Sequence, residues 1–149
     1  MPKDYVNPLG MLNNAKIWNE LYKQNINDRD LNRQMVAIYC LLISIEMHLK
    51  AYLIFLDNVF GEERYLKKLG HNFKSLYNHL EKKAPKDFSQ KVKELFTNHK
   101  LFIQDFSILR YPKEGYLFWV NRSLWNQNKH GFNEIFNFIS EEINKNSSF

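Results

Sequence analysis

Apolar residues recur at helical intervals along almost the whole of this chain, and the longest such run extends from about Leu31 to Leu56. Leu42, Ile45, Leu49, Leu53 and Leu56 form its stripe, in step with the 3.6-residue turn. A helix of that length needs cover from several neighbours, so it is expected at the centre of a bundle. Ahead of it, Asn7-Pro8 has the form of an N-cap followed by proline at the first helical position, and Met11, Ala15, Trp18 and Tyr22 continue the period. A first helix over about 8–24 follows, then a polar connection from Asn25 to Asp30. Beyond the long run, Asp57 to Gly70 reads as a partly helical linker. Helices are predicted from His71 or Asn72 to Ala84-Pro85, with Phe73, Leu76, Tyr77 and Leu80 inward, and over Lys86 to His99, with Phe88, Val92, Leu95 and Phe96 inward. The period lapses between Lys100 and Gly115, where Pro112 marks an irregular connection. It resumes near Tyr116 and reaches Ile143, either through Gly131 or in a separate last helix. Strand alternation is short and no Asn-Gly or Asp-Gly hairpin signal occurs. The expected fold is all-α, a single domain over 1–149 with five to six helices and one long central helix.

The 149 residues suffice for one core, and twelve Phe, eight Tyr and three Trp make it a core of large rings. Cys40 is the only cysteine and sits among Ala37, Ile38, Leu41 and Leu42, as a buried small hydrophobe does; a disulfide is excluded within the chain. Met1-Pro2-Lys3-Asp4 has no apolar leader character, and Ser44, Glu46, His48 and Lys50 interrupt the longest apolar run, so a cytoplasmic protein without a membrane span is expected. Net charge is +5, concentrated in residues 64–100, where ten Lys/Arg face three Asp/Glu. A polyanion would meet that region first, although a solvated lysine-rich surface has the same composition.

Ser44-Ile45-Glu46-Met47-His48-Leu49-Lys50-Ala51 contains an acidic residue, two spacers and Leu-Lys-Ala on the long helix; Gly70-His71-Asn72-Phe73-Lys74-Ser75-Leu76-Tyr77 opens a later one. Together they resemble the HEPN family, as does Leu109-Arg110-Tyr111-Pro112, which is similar to a segment of small prokaryotic members. The likeness covers about residues 35–135. It implies a HEPN-like bundle, homodimeric, working on RNA in prokaryotic defence or a toxin–antitoxin pair, with a cognate antitoxin or defence protein as partner. Glu46 and Lys50, one turn apart, fit either an exposed surface pair or a buried network in the core or a dimer interface.

HEPN ribonucleases carry Arg, four to six residues, then His on a late helix. Here Arg122 and His130 are separated by seven residues, and Trp125 stands where the shortest spacing would put the Arg. At about 100° per residue, positions 122, 126 and 130 still lie within about 80° on one helix face. The resemblance then implies a metal-independent cleavage in which the RNA 2′-hydroxyl attacks its own phosphorus, His130 moves protons, Arg122 stabilises the developing charge and Asn126 orients. Lys129, Arg110 and Tyr111 are candidate phosphate and base contacts. The alternative is a HEPN scaffold without catalysis that binds a protein partner, a nucleotide or RNA. A solvated polar face is a third account of the same three residues. Other chemistries find little: one Cys and no His pair at ligand spacing argue against zinc, no glycine-rich phosphate loop or serine elbow occurs, and no cofactor is expected. His48, His79 and His99 stand singly among apolar or basic neighbours. The ring-rich run Tyr116, Phe118, Trp119 and Trp125 exceeds what one small bundle needs inside and suggests dimerisation there.

Overall fold

A computed structural model describes residues 7–58, 63–70, 72–102 and 122–146, with the backbone alone at 31, 63–64 and 122–130. Six helices and no strand occur among these residues: α1 (Pro8–Asn25), α2 (Leu31–Asp57), α3 (Glu63–Leu69), α4 (Phe73–Lys83), α5 (Lys86–Asn98) and α6 (Arg122–Lys145). The all-α bundle read from the periodicity is the fold found. The irregular stretch around Pro112, with Arg110, Tyr111 and the rings at 116, 118 and 119, lies outside the described residues.

Local chemistry sets the helix ends. Asn7 caps α1 by accepting from the Gly10 amide at 2.6 Å, with Pro8 at the first helical position. Asp30 caps α2 through the amides of Asn32 and Arg33, at 2.8 and 3.4 Å. Gly70 follows α3 with φ +65, in the left-handed region that glycine enters without strain, and two residues later Asn72 accepts from the amides of Lys74 and Ser75 to start α4. The Gly-His-Asn segment is thus a stop and a start of backbone. Its following Leu76 and Tyr77 are core residues.

The short connection makes α1 and α2 an antiparallel hairpin. Ala15 has only a methyl side chain to keep the helices apart, and the Ser44 hydroxyl donates across the contact to its carbonyl at 2.6 Å. α4 and α6 cover other sides of α2, and α5 bridges them. Two ring clusters fill the space between. Tyr52, Phe88 and Phe138 form one, with Phe88 and Phe138 stacked at 4.4 Å; Phe73, Tyr77, Phe96 and Phe102 meet edge to face in the other. The Asp57 carboxylate at the end of α2 takes the Tyr65 hydroxyl of α3 and the Lys83 ammonium of α4, joining three helices.

By length and composition α2 is apolar enough to cross a membrane, yet 78% of its most apolar stretch is buried inside the chain's own bundle. Ser44, Glu46, His48 and Lys50 are buried with it. The Glu46 and Lys50 side chains are 10% and 8% exposed and meet at 3.4 Å, which settles them as a buried pair and not a surface one.

Candidate functional site: a polar groove along the last helix

The late helix is one unbroken element from Arg122 to Lys145 and runs straight through Gly131. The helices pack closely there, since a Cβ on Gly131 would come to 3.0 Å from the Leu95 side chain on α5. Continuity fixes the register of the candidate residues. Positions 122, 126 and 130 lie on successive turns, Lys129 lies beside them, and Trp125 is in step with Phe132, Phe136, Ile139 and Ile143, which are all buried. The candidate face is centred about 110° round the helix from that core-facing side.

The same face continues past Gly131 with Asn133, Asn137 and Ser140. All six positions, 122 to 140, fall within about 80° of the circumference over about 27 Å. At the far end this stripe meets a matching one on α1, where Lys16, Asn19, Glu20 and Lys23 follow the same i, i+3, i+4, i+7 spacing. Two bundle helices that approach each other usually meet through apolar stripes. Here the approach is polar and borders an open cavity of about 250 Å³, with His48 of α2 on its wall.

His48 is held with little freedom. Its ring stacks on Phe136 at 3.9 Å and 8°. Nδ1 lies 2.8 Å from the Ser44 carbonyl oxygen, which can only accept, so Nδ1 carries the proton and Nε2 the lone pair. The Ser44 hydroxyl, already donating to Ala15, lies 3.2 Å from Nδ1 and supports the same tautomer. Burial depresses the imidazole to about 4, opposed by its bond to Ser44 and assisted by the nearby Lys16 ammonium. It is a neutral acceptor at physiological pH. Periodicity alone leaves His48 one of three single histidines; what locates it is the cavity between the polar stripes on α1 and α6.

No family model, curated protein or solved structure matches this chain.

The remaining candidates divide clearly. Arg110 and Tyr111 lie outside the described residues. His99 is buried against Phe132 with ring centres 5.1 Å apart, and burial holds it near 4 as well, away from the polar groove. A second cavity of about 220 Å³ opens between α5 and α6 beside Phe88, Ile135 and Phe138, and the Lys91–Glu134 pair at 3.6 Å belongs to the same region. Its lining is mainly apolar and carries no histidine. Among the described residues no group of His, Cys, Asp or Glu is arranged to hold a metal ion.

Proposed function

We propose that this chain is a HEPN-like protein acting on RNA in prokaryotic defence or a toxin–antitoxin pair, and that it is a metal-independent endoribonuclease. The observation that carries the reading is the unbroken α6. With seven residues between them, Arg122 and His130 would be unrelated in a broken segment; on one continuous helix they are in phase, with Asn126 between, and 125 falls in register with the core. The two scaffold segments also have physical reasons to be what they are. Gly70 and Asn72 end one helix and start the next, while Leu49, Ala51 and the Glu46–Lys50 pair are packed into the centre.

In the reaction, the 2′-hydroxyl of the RNA attacks the adjacent phosphorus and its proton passes to a base. The P–O5′ bond breaks with protonation of the leaving oxygen, leaving a 2′,3′-cyclic phosphate. His130 serves the proton transfers, Arg122 offsets the charge gained on the phosphoryl oxygens, and Asn126 orients the phosphate. A homodimer with both late helices lining one cleft would double this set.

Cleavage of cellular RNA by the purified protein is the test. His130→Ala and Arg122→Ala should each slow it by about 10² or more. EDTA should leave it unchanged. Intact RNA, or parental rates in His130→Ala, would replace the ribonuclease with the binding scaffold.

A further inference from the structure

We propose that the cavity between α1, α2 and α6 is a binding site for a small phosphate ester bearing a hydroxyl close to its phosphate, such as one ribose-phosphate unit. Its walls are polarised in two steps. Cationic and donor groups line the sides, where Lys16 and Lys23 from α1 stand with the amides of Asn19, Asn133 and Asn137. Glu20 is drawn to Lys23 at 3.8 Å, while Lys16 has no carboxylate within ion-pair distance among the described residues. Ser140 accepts from the Asn144 amide at 3.2 Å, which leaves its own proton to donate. The α2 wall carries His48, whose Nδ1–H donates to the Ser44 carbonyl, so Nε2 can only accept a hydrogen bond.

A ligand that satisfies both needs an anionic end for Lys16 and the amides and a hydroxyl end for Nε2. A tetrahedral phosphate offers three oxygens to this many donors, more than a carboxylate presents. At about 250 Å³ the cavity is below the size of pockets for drug-sized ligands, so it holds one sugar-phosphate unit and not a strand. The proposal is independent of cleavage at Arg122 and His130. The unit can come from a free sugar phosphate or from the phosphorylated end of an RNA.

Calorimetric titration of the full chain separates these sources. Ribose 5-phosphate is one arm; a short oligoribonucleotide with a terminal phosphate is the other; ribose and inorganic phosphate are halves of the ligand. Ribose 5-phosphate should bind at least about tenfold more tightly than either half, and Lys16→Met and Asn137→Leu, both at exposed positions, should each weaken it by about tenfold. Binding of the oligonucleotide alone, lost in the same two variants, would support the site with a strand end as its ligand. Failure of both arms at millimolar concentration, or parental affinity in both variants, would overturn it.

Discussion

A buried imidazole and a buried ion pair respond to perturbation in opposite ways. His48 and His99 are held near 4 by burial, against about 6.5 in an unfolded chain. Above about pH 6.5 neither state binds the proton. As pH falls further the unfolded chain takes up protons that the folded chain refuses, so stability declines from about 6.5 down to about 4, by on the order of 3 kcal/mol per histidine at most. Urea midpoints should therefore fall between pH 7 and pH 4.5, and His99→Leu should remove a substantial part of the fall. Glu46 and Lys50 behave otherwise, since each is the other's charge compensation in a water-poor place. Glu46→Ala strands an ammonium and should destabilise by about 3 to 5 kcal/mol, whereas the double change Glu46→Leu with Lys50→Met should restore most of the loss. Denaturation curves of the two variants decide this; a double variant as unstable as the single would place the cost in packing.

At the level of elements, capping and packing can be separated by substitution. Asp30→Ala removes the side-chain acceptor from the start of α2 and should cost about 1 kcal/mol in thermal or urea unfolding. Gly131→Leu should cost about 1 to 3 kcal/mol, because α6 already lies within van der Waals reach of Leu95 there. The same comparison explains what was legible in the sequence. Helix positions follow from period and punctuation, so Asn7-Pro8, Ala84-Pro85 and the inward rings of α4 and α5 could be read directly, and the sharing of one face by 122, 126 and 130 needed only the register. Three things depended on neighbours. Gly131 looked like a possible break because the residue it packs closely against, Leu95, lies in another helix. Glu46 and Lys50 fitted a surface pair because i, i+4 spacing is indifferent to what covers it. His48 had no motif, since its tautomer comes from Ser44 and its cavity from α1 and α6.

For the whole molecule, the proposed pairing of late helices predicts a dimer in solution. Light scattering at tens of micromolar should return twice the 18.0 kDa chain mass, and a monomeric mass there would remove the shared cleft. The enclosure of α2 has a further consequence, in the order of events during synthesis. α2 is complete once residue 57 has been made, but α6, which covers another of its sides, is finished only about 90 residues later. At ribosomal speeds of about 5–20 residues per second that interval lasts roughly 4 to 18 s. Within it a segment of membrane-grade hydropathy has α1 to lie against first and α4 once residue 83 has been made, and the side that α6 covers stays open to the end. The N-terminal hairpin, clasped by Ser44 and Ala15, is therefore the first cover that this segment acquires.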